Sequence, residues 1–211
     1  MSNIATVLTG DLIASTKAGQ DAVDGTMAVL EGIARHEAQN SGLDIRFARF
    51  RGDGWQMYCP EAARVFRLTV LVLANLHSRP ALAQTRFAVA VGEVSVLPQT
   101  GLASASGEVF STSGHALDDM TKRFVFFSQT PDAKWHRPLF SYLDWQSSRW
   151  SPQQAEAIAL SFRYNSPEPR KSAEELGISR QAFKARLDGA GYEPLWDANR
   201  PFNPSKHFYH D

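Results

Sequence analysis

Two stretches of the sequence decide the fold: VLTGDLIAST at residues 7–16 and ARFRGDGWQMYC at residues 48–59. Each places an aspartate, Asp11 or Asp53, directly after an apolar run that is typical of a strand, and a helical pattern separates the two runs. Either turn taken alone is also an ordinary structural feature. If the two strands are neighbours, however, the carboxylates can together hold divalent cations against a polyphosphate.

The spacing of apolar residues predicts the order strand, helix, strand, strand, helix, strand in the first half of the chain. The predicted strands span residues 4–9, 45–50, 55–59 and 86–92, and the predicted helices span residues 22–40 and 60–78. This is the order of a split βαβ unit. We therefore expect an α+β fold with a ferredoxin-like (βαββαβ) sheet and its helices on one face. A loop at 94–107, a helix at 113–122 and a strand at 124–127 follow.

A small all-α domain with a helix-turn-helix is predicted to follow. Ser151-Pro152 is a strong helix start, and residues 172–175 have the form of a capping box at the start of a second helix. Residues 176–179 predict a tight turn in which Ser179 caps a third helix. The expected domains are residues 1–148 and 149–211, with the last twenty residues extended over the surface.

The third helix of this domain carries the candidate DNA-binding residues Arg180, Gln181, Lys184 and Arg186. Arginine and glutamine at the start of such a helix can contact base edges. Residues 149–211 hold nine Arg and Lys against eight Asp and Glu, and this net charge of +1 is low for a DNA-binding domain. A helical bundle that builds a dimer or docks on the first domain explains the same pattern, so both interpretations stay open.

Composition narrows the setting in which the protein acts. The formal net charge of the 211 residues is zero, which excludes a global attraction to nucleic acid. No apolar run approaches the roughly 18–20 residues of a membrane span, and the N-terminus lacks a signal pattern. The single cysteine, Cys59, cannot form an internal disulfide. We therefore expect a cytoplasmic protein without a membrane partner.

Four segments of the first domain occur in the order found in a known family. Residues 9–16 (TGDLIAST) and 50–54 (FRGDG) resemble the two metal motifs of class III nucleotidyl cyclases. Residues 86–94 (RFAVAVGEV) and 107–117 (GEVFSTSGHAL) resemble the strand and helix that follow in those enzymes. The resemblance spans residues 4–120 and rests on the order of the motifs. A cyclase-like domain followed by a helix-turn-helix resembles SatD-type proteins.

This resemblance implies roles for particular residues. The implied ligands of Mg²⁺ or Mn²⁺ are Asp11, Leu12 and Asp53, and the implied phosphate contacts are Ile13, Ala14, Ser15 and Thr16. Base recognition falls on Arg49 and Ser104. Ser111 and His115 stand where the family has the asparagine and the arginine that act on the ribose and the transferring phosphoryl group. Because histidine is only partly cationic at neutral pH, this replacement predicts weakened transition-state stabilisation.

The resemblance also implies a function. It predicts binding of a nucleoside triphosphate, a head-to-tail homodimer, and a signalling reaction in which a 3′-hydroxyl attacks the α-phosphate to form a cyclic nucleotide. The alternative is a DNA-binding transcriptional regulator whose degenerate cyclase-like domain only senses nucleotide. A third hypothesis is a dimerising module with neither activity.

Overall fold

The computed structural model describes residues 3–120, 124–128, 134–164 and 169–202. The chain divides into two compact units, one built from residues 1–65 and 81–145 and the other from residues 66–80 and 146–211. The segment 66–80, which the sequence places in the first domain, therefore groups with the C-terminal helices. Within the described residues, no helix combines the length and the apolar character needed to cross a bilayer.

A mixed sheet forms the centre of the first unit. Its described strands are β1 (Ile4–Leu12), β2 (Arg46–Phe50), β3 (Gly54–Cys59), β4 (Thr85–Glu93) and β5 (Phe124–Ser128). They lie in the spatial order β2-β3-β1-β4-β5. The pairings among β1, β2, β3 and β4 are all antiparallel, while β5 runs parallel to β4. The mixed α/β character expected from the sequence is therefore confirmed, with a four-stranded antiparallel sheet that β5 extends.

Helices connect these strands and continue beyond them. Within the described part of residues 15–147, the α-helices are α1 (Ser15–Ala18), α2 (Gln20–Ser41), α3 (Val65–His77), α4 (Glu108–Asp119) and α5 (His136–Ser147). Of these, α3 belongs to the second unit except for its first residue. The second unit also contains α6 (Pro152–Tyr164), α7 (Pro169–Glu175), α8 (Arg180–Ala190) and α9 (Tyr192–Asn199).

The alternation of side chains along β1 determines which face of the sheet carries Asp11. Successive residues of a strand point to opposite faces. Val7 packs with Val109 of α4 in one buried cluster, and Thr9 Oγ1 lies 2.8 Å from Ser113 Oγ of α4. Asp11 follows Thr9 by two residues, so its side chain lies on the face of the sheet that α4 covers.

Local hydrogen bonds explain where two helices of the second unit begin. The backbone N–H of Gln154 donates to Ser151 Oγ at 3.2 Å, and the N–H of Ser151 donates to Gln154 Oε1 at 2.8 Å. This reciprocal cap starts α6 at the predicted place. Ser179 Oγ accepts from Ala182 N at 3.1 Å, as predicted for the start of α8. Gly177, with φ 63°, supplies the left-handed backbone of the turn before it.

Three predicted helix starts are wrong. The helix predicted over residues 60–78 begins at Val65, after a 3-10 turn at Ala62–Arg64. The structure begins α4 at Glu108 rather than at residue 113, directly after Gly107, whose φ of 141° disfavours other residues. Glu108 then lies in the first turn, where a carboxylate is favourable. Ser172 does not open a helix, since it lies inside α7, which begins at Pro169, and it is buried. Capping residues can therefore also occur as buried interior residues.

The predicted extended tail is partly wrong as well. Gly191, with φ 73°, ends α8, and the chain continues as α9 with Tyr192 and Leu195 buried. The burial of these two side chains stabilises a helix that the proline and aromatic content of the segment does not predict. The remainder of the predicted tail at 203–211 and the predicted helix end at 121–122 lie outside the described residues.

Candidate functional site

The sheet brings the two aspartates of the sequence motifs to neighbouring positions. Asp11 on β1 pairs with Gly54 on β3, and Gly54 directly follows Asp53. The N–H of Leu12 donates to the carbonyl oxygen of Asp53 at 3.1 Å. The backbone of β1 is thus bonded to the hairpin that carries Asp53. The strand adjacency on which the metal-site prediction depends is present in the structure.

A close contact beneath β1 fixes the backbone that carries Asp11. A Cβ atom on Gly10 would lie 2.5 Å from Trp55 Cε2 and 2.7 Å from the carbonyl oxygen of Arg86. Trp55 Nε1 donates to Thr85 Oγ1 at 2.9 Å, and this hydroxyl donates to the carbonyl oxygen of Asp11 at 2.6 Å. The absence of a side chain at Gly10 lets the indole lie against β1 and support Asp11 through Thr85.

The segment after β1 supports Asp53. Ser15 Oγ donates to Asp53 Oδ2 at 2.9 Å, which orients one carboxylate oxygen. Ala14 adopts a left-handed conformation with φ 51° at the start of the short helix α1. Of the predicted phosphate contacts, the N–H of Ile13 already donates to the carbonyl oxygen of Gln84 at 2.7 Å. Ala14, Ser15 and the exposed Thr16 therefore offer the better phosphate donors.

Arg86 is a site residue that the sequence analysis missed. Its Nε donates to Asp11 Oδ1 at 2.8 Å and its Nη2 donates to Asp11 Oδ2 at 2.9 Å. Both carboxylate oxygens are thus held by one guanidinium, and this contact raises the pKa of Arg86 above its ordinary value. The signal available in the sequence was a single charged residue, Arg86, in the otherwise apolar stretch RFAVAVG. The structure shows that this residue lies directly opposite Asp11 in the β1–β4 register.

The donor set fits a small, hard cation. Mg²⁺ prefers oxygen ligands and commonly takes only one or two carboxylates from a protein. Asp11, Asp53 and the carbonyl of Leu12 are oxygen donors on adjoining backbone segments. In the part of the chain that the structure describes, no group of three or more His, Cys, Asp or Glu side chains forms a denser metal site. The site would thus depend on water and ligand oxygens for its remaining coordination.

The structure places the two predicted catalytic residues on the solvent side of α4. Ser111 and His115 are exposed, whereas Val109 and Ser113 form the buried side that faces the sheet. The Ser111 hydroxyl donates to the carbonyl oxygen of Glu108 at 3.1 Å. Within one chain, these two residues therefore lie on the opposite side of α4 from Asp11.

Of the two predicted base contacts, Arg49 lies apart from Asp11. Arg49 pairs with Trp55, which in turn pairs with Gly10, so its side chain lies on the sheet face opposite that of Asp11. There its Nη1 lies 2.6 Å from Asp24 Oδ1 of α2. Ser104 is exposed in the loop before α4. Their role in base recognition stays a prediction.

The candidate DNA-contacting residues of α8 fall into two pairs. Arg180 and Gln181 are exposed in its first turn. Lys184 Nζ instead contacts Asp188 at 3.0 Å, and Arg186 Nη1 contacts Glu156 of α6 at 3.0 Å. Acidic neighbours therefore offset two of the cations.

No family model matches this chain, and no curated protein matches it. Among solved structures, it is similar to the guanylyl cyclase Cya2, at 16% identity and a TM-score of 0.42 over 60% of this chain and 77% of that one. It is also similar to a bacterial light-regulated adenylyl cyclase, at 12% identity and a TM-score of 0.42 over 60% of this chain and 76% of that one. Both neighbours are nucleotidyl cyclases.

Proposed function

We propose that the first unit binds a nucleoside triphosphate through Mg²⁺ or Mn²⁺ at Asp11 and Asp53. The observation that carries this proposal is the strand register, which places Asp11 opposite the residue that follows Asp53. A metal bound there would neutralise polyphosphate charge and increase the electrophilicity of the α-phosphorus. This chain would supply the two carboxylates and the carbonyl oxygen of Leu12, and its hydrogen bonds would orient these oxygen ligands.

The segment after β1 is proposed to contact the phosphates. The N–H groups of Ala14, Ser15 and Thr16 lie just beyond the metal-binding aspartate in sequence, and Ser15 is bonded to Asp53. Backbone N–H groups and hydroxyls bind phosphate oxygens well, so this segment would hold the polyphosphate beside the carboxylates. The proposed reaction is attack of the 3′-hydroxyl on the α-phosphate with release of pyrophosphate.

The position of Ser111 and His115 favours a site shared between two copies of the chain. Both residues face solvent on α4, away from the sheet that carries Asp11 in the same chain. We propose a head-to-tail homodimer in which these residues act on a nucleotide bound to the aspartates of the partner. In this chain His115 stands where the family has an arginine. Because histidine is only partly cationic at neutral pH, the expected turnover is slow.

The proposed architecture is a ferredoxin-type, cyclase-like domain followed by a helix-turn-helix formed by α6, α7 and α8, the combination that resembles SatD-type proteins. The second candidate function, a DNA-binding regulator that senses nucleotide, is favoured by one observation. The capped helix α8 presents Arg180 and Gln181 to solvent at its start. DNA binding that survives R180A/Q181A unchanged would refute a recognition role for α8.

Binding of all four ribonucleoside triphosphates, with and without Mg²⁺ or Mn²⁺, tests the main proposal. We expect metal-dependent binding that Asp11→Asn and Asp53→Asn each abolish. Asp21→Asn is the matched control because Asp21 is an exposed carboxylate on α2 of the same unit. Metal-dependent nucleotide binding that either site variant retains at the wild-type affinity would refute the proposed site.

Product analysis on the same samples tests the reaction and the dimer. Two separately inactive variants, Asp11→Asn and His115→Ala, are mixed under conditions of subunit exchange. A shared site predicts that mixing restores cyclic nucleotide formation, because one of the two sites in the mixed dimer is intact. Product from wild type without recovery in the mixture would contradict the shared site.

A further inference from the structure

We propose that the Asp11–Arg86 ion pair blocks metal binding at Asp11 until a polyphosphate draws the guanidinium away, so that metal and nucleotide bind cooperatively. This inference rests on the proposed function, since it concerns the same carboxylate. It adds that the binding of the metal depends on the binding of the nucleotide, which a metal site alone does not require.

The geometry of the ion pair supports a block. The two residues are directly opposite in the β1–β4 register, so the sheet backbone holds them together. The distances of 2.8 and 2.9 Å show that both oxygens of Asp11 are engaged at once. A cation that coordinates Asp11 must replace at least one of these bonds, and it would lie beside a charge of the same sign.

Asp53 differs from Asp11 in this respect. Its Oδ2 accepts a hydrogen bond from the neutral hydroxyl of Ser15 at 2.9 Å, which leaves the carboxylate charge unbalanced by that contact. The two carboxylates of the site are thus unequal: one is oriented by a neutral donor, and the other is neutralised by a cation. Free metal would be bound mainly by Asp53, and weakly.

The exposure of the pair makes the block reversible. The side chain of Arg86 is 36% exposed and that of Asp11 is 31% exposed. Partly exposed ion pairs are weak because solvent screens them, so an anion of several charges can compete for the guanidinium. The remaining nitrogen, Nη1 of Arg86, donates only a long hydrogen bond of 3.4 Å to the carbonyl oxygen of Met120, just after α4, and a phosphate oxygen can replace this neutral acceptor.

A polyphosphate would provide Arg86 with a better partner than a single carboxylate. Guanidinium groups bind phosphate oxygens through paired hydrogen bonds. Once Arg86 contacts the polyphosphate, Asp11 is free to coordinate the metal that the same polyphosphate also binds. Linkage then requires that metal strengthens nucleotide binding by the same factor as nucleotide strengthens metal binding.

The test compares the affinity for Mn²⁺ alone with the affinity for Mn²⁺-ATP and Mn²⁺-GTP. Free Mn²⁺ is measured from its electron paramagnetic resonance spectrum, and binding of the complexes is measured by calorimetry. For Arg86→Gln we expect about tenfold tighter binding of Mn²⁺ alone and about tenfold weaker binding of the complex, within the usual range of couplings. A merely structural role of Arg86 would weaken both.

Two further variants complete the experiment. Arg51→Gln is the charge-matched control, since Arg51 is an exposed arginine in the hairpin of Asp53, and it should leave the affinity for Mn²⁺ alone unchanged. Arg86→Lys keeps the charge but cannot hold both oxygens in a planar fork. It should bind Mn²⁺ alone with an affinity between those of wild type and Arg86→Gln, which keeps the test usable if Arg86→Gln does not fold.

The outcomes separate this inference from the proposed function. If wild type binds the metal–nucleotide complex but neither Arg86 variant binds Mn²⁺ more tightly, the block is refuted and the site stands. An equal gain in Arg51→Gln would also refute it, because charge alone would then explain the effect. If wild type binds neither Mn²⁺ nor the complex, the proposed function itself fails.

Discussion

Gly10 provides the sharpest test of how the sheet positions the site. A Cβ atom at this position would lie 2.5 and 2.6 Å from Trp55 carbons and 2.7 Å from the carbonyl oxygen of Arg86. Ordinary contacts to a methyl group are about 3.5–4.0 Å, so the indole or the β4 backbone must move by about 1 Å. Overpacking of a tight core costs about 1–3 kcal/mol. We expect Gly10→Ala to cost about 3 kcal/mol, because one obstacle is sheet backbone.

The assay is thermal and urea unfolding followed by circular dichroism. A loss of about 3 kcal/mol corresponds to a decrease in Tm of about 6–12 °C for a chain of this size. Gly32→Ala is the matched control, because Gly32 lies inside α2 and a Cβ there meets nothing within 4 Å. The same chemical change should stabilise this position by about 0.5–1 kcal/mol, since alanine favours a helix over glycine.

Gly10→Ala should therefore lower the free energy of unfolding, whereas Gly32→Ala should raise it. Gly10→Ala should also weaken metal-dependent nucleotide binding, because Trp55 supports the Asp11 carbonyl through Thr85. Stability of Gly10→Ala within about 0.5 kcal/mol of wild type would refute the packing argument, since surface substitutions commonly fall in that range. Normal stability together with lost binding would instead show that Gly10 acts at the site.

Three further outcomes follow from particular contacts. Burial raises the pKa of the Cys59 thiol to about 12. Native protein at pH 8 should therefore hardly react with an aromatic disulfide reagent. Unfolded protein, whose thiol has a pKa of about 8.5, should react fully. Ser179→Ala should cost about 1 kcal/mol through loss of the cap of α8, measured by urea unfolding, and an unchanged midpoint would contradict the cap. Ser113→Ala should cost about 1 kcal/mol through the lost hydrogen bond with Thr9, whereas Ser111→Ala on the exposed side of α4 should be neutral; equal costs would contradict the assigned faces.

The helix starts show where local sequence succeeds and where it fails. Ser151 and Ser179 cap helices as expected, because a cap is a hydrogen bond between residues two or three apart. Ser172 matches the same pattern but is buried inside α7. Whether a capping residue ends up at a helix start or inside a helix depends on what packs around it, and a local pattern does not contain that information.

The candidate site also combines features that the local sequence predicts with one that it does not. Apolar periodicity and the Gly-Asp-Gly tip sufficed to predict that β1 forms and that a β2–β3 hairpin carries Asp53, since these signals act over a few residues. The predicted first strand ends at residue 9, however, whereas β1 continues to Leu12, so Asp11 lies inside the strand rather than after it. The cation on Asp11 was not predictable by such signals. Arg86 is 75 residues away from Asp11 along the chain, and it becomes a partner only through the β1–β4 register.

By itself, the sequence determined the strands, most helices and the two carboxylates, because local hydrogen bonding and side-chain periodicity determine those features. The tertiary structure alone decided that Arg86 neutralises Asp11, that Arg49 faces away from it, and that Ser111 and His115 face solvent. These facts depend on strand register and on which helix face is buried. Both are set by packing between segments distant in sequence, because a shift of one residue in register would send every side chain to the other face of the sheet.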